Sequence, residues 1–353
     1  MAPGSPPPVR PRPAGGPRPK GTNGGAGAPG GKPGPTSGTN TMKAAAIFTK
    51  IGTALSQETF GSTGKQVADV TAVRLADGRI CLYAFVSPDG VRSAISTDAT
   101  GTKFTAEPDR RLTFSPGGQT RAYVLDDGRV RLFYTDGGAI KSAISSDGLA
   151  FTDEGVRITQ AQAGFEPGGI SVVKFGSGYR AYFSNLEKPG VHAERVTRTA
   201  TSPDMLTWTV GPIITGSGGS IKDGASHPFA ITDGKTIALY YNGDRPGFYG
   251  ALRSTSTDGI TFKDERTVLA GAGDPQLVPL ASGATLLYYG WDLGASGFGI
   301  AVARATASPI SGVTGTASSG AATKTPAKKT PPKKTPPKKA PAKKPATTTT
   351  AKK

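Results

Sequence analysis

The chain has 353 residues, with 42 Lys and Arg against 25 Asp and Glu, a net charge of +17, 50 glycines, 30 prolines and a single cysteine. One cysteine excludes an intrachain disulfide framework. No apolar run is long enough to cross a bilayer as a helix, and two histidines beside that cysteine are too few for a His/Cys transition-metal site, so neither a metal nor a cofactor is expected.

The charge sits at the ends. Residues 1–43 carry Arg10, Arg12, Arg18, Lys20, Lys32 and Lys43 and no acid, and residues 321–353 carry 11 lysines and no acid. These account for the whole of the +17, so the stretch between them is formally neutral. A nucleic-acid-binding reading based on overall charge therefore does not apply to the folded part. Affinity for a polyanion, such as DNA or an anionic cell-wall polymer, belongs to the C-terminal tail. Both ends are too poor in apolar side chains to offset the entropy of ordering them. Residues 1–43, rich in Pro, Gly and Arg, and 311–353, rich in Lys, Pro, Ala and Thr, are expected to be disordered around a folded domain at 44–310. The tail phrase Lys328-Lys329-Thr330-Pro331-Pro332-Lys333-Lys334 is similar to the C-terminal tails of linker histones. The N-terminus lacks the basic-then-apolar layout of a secretory signal. The compartment stays open, an extracellular or cell-surface one being compatible, and a monomer is expected.

In chain order, Phe48-Thr49-Lys50-Ile51-Gly52-Thr53-Ala54-Leu55-Ser56 reads as a strand. Hairpins follow at Val73–Tyr83 around Asp77-Gly78, Ala122–Tyr134 around Asp127-Gly128, Val172–Phe183 around Gly176-Ser177-Gly178, Phe229–Tyr241 around Asp233-Gly234, and Leu277–Tyr289 around Ser282-Gly283. Asp-Gly between two alternating apolar runs marks a hairpin, because glycine supplies the positive φ of the tight turn. A third strand comes after each hairpin, as in Lys141-Ser142-Ala143-Ile144-Ser145, and then a recurring phrase, Ser-x-Asp-(Gly)-x-x-Phe/Trp-Thr. Its copies are Ser96-Thr97-Asp98 with Phe104, Ser145-Ser146-Asp147 with Phe151, Ser202-Pro203-Asp204 with Trp208, and Ser256-Thr257-Asp258 with Phe262. A fourth strand opens on each aromatic.

A repeat of roughly fifty residues is the mark of a repeat architecture, and four antiparallel strands per unit make the blade of a β-propeller. The fold class is all-β. The count is five, and unit five ends near Val302 with no Asp phrase after it. The missing strand lies at the other end of the chain: Phe48–Ser56 matches Phe151–Thr159 in pattern. The N-terminal segment is predicted to be the outer strand of the last blade, sealing the ring and removing its exposed edges. Asp98, Asp147, Asp204 and Asp258 are expected to cap their turns by accepting local backbone N–H bonds, and the following aromatics to be core.

In a propeller the first strand of each blade starts at the central funnel. The residues to weigh are those just ahead of the first strands: Asp69, Gln119-Thr120, Glu166-Pro167, His227-Pro228 and Asp274-Pro275. Carboxylates from three blades converging on one axis would suit glycoside hydrolysis, which needs one acid to protonate the leaving oxygen and one carboxylate to activate water or attack the sugar. The catalytic candidates are thus Asp69, Glu166 and Asp274. Loops on the same face carry Asn185, Asn242, Arg245, Tyr249, Trp291 and Asp292. These, with Gln119, Arg121 and His227, are the candidates for binding a sugar, which presents an apolar ring face and a rim of hydroxyls.

The phrases Leu239-Tyr240-Tyr241-Asn242-Gly243, Ser254–Phe262 and Ser202-Pro203-Asp204-Met205-Leu206-Thr207-Trp208 resemble the five-bladed propeller glycosidases, the superfamily of glycoside hydrolase families 43 and 32 and the phosphorylase relatives of family 130. That resemblance covers about 44–310 and implies an acid at the start of blades one, two and three. It matches Asp69 to the first place and Glu166 to the third. Blade two departs from the pattern, because Gln119-Thr120-Arg121 holds no carboxylate. Three readings follow: a carbohydrate-active enzyme, a glycan-binding or adhesive propeller without chemistry, and a nucleic-acid-associated protein whose propeller binds partners.

Overall fold

The computed structural model describes residues 48–305, apart from Ala76, 186–194, 218–220, 222–224 and 246–247 and the side chains of Asp244, Arg245 and Phe248. The expectations for both tails fall outside these residues. The chain opens with β1 (Phe48–Leu55) and the one-turn helix α1 (Gln57–Phe60). Blade one is β2 (Val67–Arg74), β3 (Ile80–Val86), β4 (Gly90–Ser96) and β5 (Phe104–Ala106). Blade two is β6 (Arg121–Val124), β7 (Val130–Asp136), β8 (Ala139–Ser145) and β9 (Thr152–Ile158), followed by the short α2 (Gln160–Ala163). Blade three is β10 (Pro167–Phe175), β11 (Gly178–Asn185), β12 (Thr197–Ser202) and β13 (Thr209–Ile213). After the two-residue β14 (Thr215–Gly216), blade four is β15 (Ala225–Thr232), β16 (Ile237–Arg245), β17 (Phe248–Ser256) and β18 (Thr261–Ala270). Blade five is β19 (Gly273–Pro279), β20 (Thr285–Asp292) and β21 (Phe298–Ala305), completed by β1.

The closure predicted from the repeat is present. β1 runs antiparallel to β21, with Phe48 opposite Ala305 and Leu55 opposite Ile300. One pairing carries no turn signal in the sequence: β14 lies parallel to β18, adding a fifth strand to blade four.

Both faces of each sheet are covered by the neighbouring blades, so the second strands read as continuous apolar runs rather than alternating ones. In β3 the run Ile80-Cys81-Leu82-Tyr83-Ala84 is wholly buried. Apolar clusters fill the seams between blades. One joins Val67, Ile80 and Leu82 of blade one to Leu286, Tyr288 and Ile300 of blade five. Another joins Phe133 and Ile140 of blade two to Ala181 and Phe183 of blade three.

The Asp phrase does what its chemistry predicts. Asp258 Oδ1 accepts from the backbone N–H groups of Ile260 and Thr261, each at 2.8 Å, while Ser256 Oγ accepts from Gly259 N at 2.8 Å. Asp147 and Asp204 repeat the pattern at Leu149–Ala150 and Leu206–Thr207. The aromatics that follow, Phe151, Trp208 and Phe262, are buried. These turns join third to fourth strands, so they lie on the face away from the starts of the first strands.

Candidate functional site

In four of the five blades the first strand breaks its ladder near the funnel. β2 slips against β3 between Ala68 and Thr71, β10 against β11 between Gly168 and Ser171, β15 against β16 between Ser226 and Phe229, and β19 against β20 between Gly273 and Gln276. The first residue inside each slip is left-handed: Asp69 at φ 55°, Gly169 at 60°, His227 at 50° and Asp274 at 50°. In blade two, Gln119, just ahead of β6, has φ 47°. Bulges of this kind re-aim one side chain out of the sheet pattern. A non-glycine residue held there costs on the order of 1 kcal/mol or more, and such strain gathers where the surrounding fold over-determines a site.

Contacts join four of these places, Asp69, Gln119, His227 and Asp274, into one ring with Asn242. Gln119 N donates to Asp69 Oδ2 at 2.9 Å, and Thr120 Oγ1 donates to the Asp69 carbonyl at 2.9 Å. Gln119 Nε2 lies 3.2 Å from His227 Nε2. His227 Nδ1 faces Ser226 Oγ at 3.2 Å and Asp274 Oδ1 at 3.4 Å. Asn242 fixes the last member from both sides: its Oδ1 accepts from Asp274 N at 2.7 Å, and its Nδ2 donates to Asp274 Oδ1 at 3.0 Å. Because the backbone N–H can only donate, the Asn242 amide is oriented without ambiguity. Asn242 Nδ2 also lies 3.3 Å from His227 Nδ1, so amide groups face both ring nitrogens of the imidazole.

One oxygen each of Asp69 and Asp274 and one nitrogen of His227 lie within 4.8 Å of one another. Of the described residues, these three are the set that could hold a cation. Burial, and after it the charge of Asp274, push the Asp69 carboxyl up from its ordinary range, against the opposing pull of Gln119 N–H, His227 and Arg121. Arg121 is 6% exposed and sits beneath the ring, where its Nη1 donates to the Val70 carbonyl at 2.7 Å. Burial pulls its guanidinium down, and Asp274 and Asp69 hold it up. The buried Arg121 guanidinium thus faces two carboxylates.

Blade three departs from expectation. Glu166 stands one residue ahead of β10, and the left-handed bulge falls three residues further on, at Gly169. By this register the blade-three counterpart of Asp69 in the bulge is Gly169, which has no side chain, while Glu166 stands at the entry to β10. A Cβ on Gly169 would meet Gln119 Oε1 at 3.2 Å and the His227 Cα at 3.6 Å. The position was countable in the sequence. Asp69, Gln119, Gly169 and Asp274 each stand nine residues before a hairpin glycine, Gly78, Gly128, Gly178 and Gly283.

The remaining candidates separate. Asn242 belongs to the ring. Tyr249 is 50% exposed, and its hydroxyl occupies the space over Gly273 that a side chain there would fill, on the Asn242 side of the site. Asn185 is buried and closes the base of its loop, its Oδ1 accepting from Val196 N at 2.9 Å. Asp292 caps the turn after β20, accepting from Gly294 N at 2.7 Å. The Arg245 side chain lies outside the described residues. Trp291 is not a free platform: Lys50 Nζ stands 3.8 Å over its ring and Tyr289 packs edge-on at 5.8 Å. Two aromatics missed in the sequence, Phe114 at 44% and Phe298 at 54% exposure, open on the funnel side, one in the β5–β6 connection and one at the start of β21.

No family model matches the chain, and no curated protein matches it in sequence. Solved structures match it in fold. An endo-1,4-β-xylanase from Bacteroides thetaiotaomicron does so with a TM-score of 0.53 at 14% identity, over 67% of this chain and 89% of that one. A thermostable family-43 glycoside hydrolase gives 0.54 at 12%, over 70% and 93%. A structure from family 130 of mannoside phosphorylases, which contains hydrolases that target β-1,2 mannosidic linkages in Candida mannan, gives 0.52 at 16%, over 78% and 100%. The chain shares their five-bladed propeller. At such identities the likeness is one of fold, and function has to be argued from the site.

Proposed function

We propose that the funnel binds a glycan and does not hydrolyse it. The observation that carries this reading is the composition of the ring: acids from blades one and five, an amide and an imidazole between them, and a glycine in blade three. Hydrolysis needs two carboxyl groups on either side of a glycosidic bond, about 5–5.5 Å apart for retention and about 6.5–9.5 Å for inversion. Asp69 and Asp274 each bring one carboxylate oxygen within 4.8 Å of the other, side by side in neighbouring blades rather than on opposite sides of a bound sugar, and the blade-three bulge carries Gly169. The same groups suit recognition. Asp69, whose carboxyl is pushed up by burial and then by Asp274, supplies a donor when protonated, while Asp274, His227, Gln119 and Asn242 offer fixed donors and acceptors to hydroxyls. Tyr249 stands at the lip as an apolar face for a sugar ring.

The test is a glycan array with the full chain, followed by calorimetry and a reducing-sugar assay on whatever binds. Binding that His227→Ala and Tyr249→Ala weaken, with no sugar released, supports the proposal. Release that Asp69→Asn abolishes overturns it in favour of an enzyme.

A further inference from the structure

Neighbouring blades four and five carry the same exposed feature at the same place. First strands start at the funnel, and third strands run in the same direction, so third strands also start there. The third strand of blade four has Tyr249-Gly250 near its start, and that of blade five starts Phe298-Gly299. The register matches as well: Tyr249 stands opposite Asp244 and Phe298 opposite Asp292, at the funnel ends of the second strands. Both aromatics are exposed, at 50% and 54%.

Each is tied by its backbone to the stretch that leads into the next blade. Gly271 N donates to the Tyr249 carbonyl at 2.9 Å, and Phe298 N donates to the Lys65 carbonyl at 2.9 Å. Gly271 lies just ahead of β19 and Lys65 just ahead of β2. Those two first strands carry Asp274 and Asp69 in their left-handed bulges. Each aromatic thus stands one blade ahead of one of the two acids. Blades one and two lack both halves. Asp89 precedes the third strand of blade one, and the left-handed place in the next blade holds Gln119. Gly137 and Gly138 precede the third strand of blade two, and the next bulge holds Gly169.

An aromatic beside an acid suits one sugar ring, which packs its apolar face on the one and gives its hydroxyls to the other. Oxygens of Asp69 and Asp274 lie within 4.8 Å of each other, so the two units adjoin at the centre of the funnel, while their aromatics stand on different blades. We infer that the funnel holds two adjoining sugar subsites, Tyr249 with Asp274 and Phe298 with Asp69, and that its ligand is an oligosaccharide of contiguous rings rather than a single sugar. The inference rests on the reading of the funnel as a glycan site. A covalent link between two rings makes the second contact intramolecular, so affinity rises with chain length up to the disaccharide and little beyond it. Phe298 is then the residue that sets chain-length preference.

The experiment is calorimetry on the full chain with mono-, di- and trisaccharides of β-linked xylose, mannose, glucose and N-acetylglucosamine as probes. Tyr249→Ala, Phe298→Ala, the double variant and Phe298→Tyr are measured beside the natural chain. In the series that binds, the disaccharide should exceed its monosaccharide by at least about tenfold. Each single alanine variant should lower disaccharide affinity by about tenfold and leave the monosaccharide almost unchanged, since the other subsite still takes it. The double variant should lose both, and Phe298→Tyr, which keeps a ring face, should retain the disaccharide. A monosaccharide that binds as tightly as its disaccharide, or a Phe298→Ala variant that holds the disaccharide like the natural chain, would overturn the two subsites and leave the funnel a glycan site. No binding anywhere in the panel would overturn the glycan reading and the subsites together. Sugar release with the expected chain-length pattern would overturn only the claim that the funnel does not hydrolyse, and would support the subsites.

Discussion

The Tyr288 hydroxyl on β20 donates to the carbonyl of Gly101 in the next blade at 2.6 Å. The bond crosses the seam between the last blade and the first. It has counterparts: Tyr83 reaches the Gly148 carbonyl at 2.8 Å and Tyr182 the Gly259 carbonyl at 2.9 Å. Each ties a second strand to the Asp turn of the following blade. Gly101 suits its place twice over, at φ 66° and with no room for a Cβ beside the Tyr288 hydroxyl. Blade two breaks the pattern consistently. It has Phe133 in place of Tyr, the next turn has Met205 in place of Gly, and the Met205 carbonyl is taken by Trp208 Nε1 at 3.1 Å.

Tyr288→Phe should therefore lower stability by about 1–2 kcal/mol, the cost of a buried carbonyl left without its donor. The edge-on contact with Phe104 at 5.9 Å would persist, so the change reports the hydrogen bond alone. Phe133→Tyr should gain nothing, its acceptor being occupied. Denaturant midpoints at constant m-value check both, and equal midpoints for Tyr288→Phe and the natural chain would refute the clamp.

Two kinds of carboxylate give this protein opposite pH responses. The Asp69 carboxyl is pushed up by burial and then by Asp274. Its contribution favours the fold below the unfolded pKa and is lost as pH rises through the folded one. Asp69→Asn keeps a left-handed residue and an acceptor for Gln119 N–H but removes that loss. The variant should melt above the natural protein at pH 8, with the gap shrinking toward pH 4. Asp258, held down by the Ile260 and Thr261 amides, contributes above its unfolded pKa and loses that contribution as pH falls through the folded one. Asp258→Ala should lower Tm by a few degrees at pH 7 and by less in acid. Melting curves across pH 3–8 separate the two, and parallel curves would contradict both assignments.

Trp291 and Tyr249 should divide stability from binding. Trp291 packs on Tyr289 and carries the Lys50 ammonium on its face, joining β1 to β20 at the closure. Burial moves the Lys50 ammonium down. Trp291→Ala should cost about 3 kcal/mol of stability and leave sugar affinity within about twofold, since a cation already covers its ring. Tyr249→Ala should do the reverse, with stability unchanged within about 0.5 kcal/mol and affinity reduced about tenfold. Calorimetry of folding and binding on the two variants decides. The reverse pattern would restore Trp291 as the sugar platform.

The blade pattern was legible because its signals are local. Asp-Gly turns and the Ser-x-Asp phrase depend on hydrogen bonds spanning two or three residues, and the closing strand showed itself as a copy of the Phe151 phrase. The parallel pairing of β14 with β18 has no turn to announce it, and no residue near Thr215 signals it. The funnel was half legible. Asp69, Gln119, His227, Asn242 and Asp274 do meet, because their positions follow from strand order. Glu166 was placed by its position at the start of blade three, whereas the bulge falls at a fixed distance from the hairpin, at Gly169. Trp291, a sugar-binding candidate in the sequence, is covered by Lys50 from the other end of the chain, and only ring closure brings the two together.

Gly169 gives the last prediction, since it marks the gap in the ring. Its φ of 60° and the nearness of Gln119 Oε1 to any added Cβ mean that Gly169→Ala strains the backbone and presses on Gln119. That should cost about 1–2 kcal/mol. Because Gln119 Nε2 is the contact that holds His227 Nε2, a displaced amide also loosens the imidazole, and sugar affinity should fall at least about tenfold. Glu166→Ala, outside the ring, should leave affinity within about twofold. If Glu166→Ala abolishes binding while Gly169→Ala spares it, blade three contributes through Glu166 after all, and the ring of left-handed bulges is not the ligand's seat.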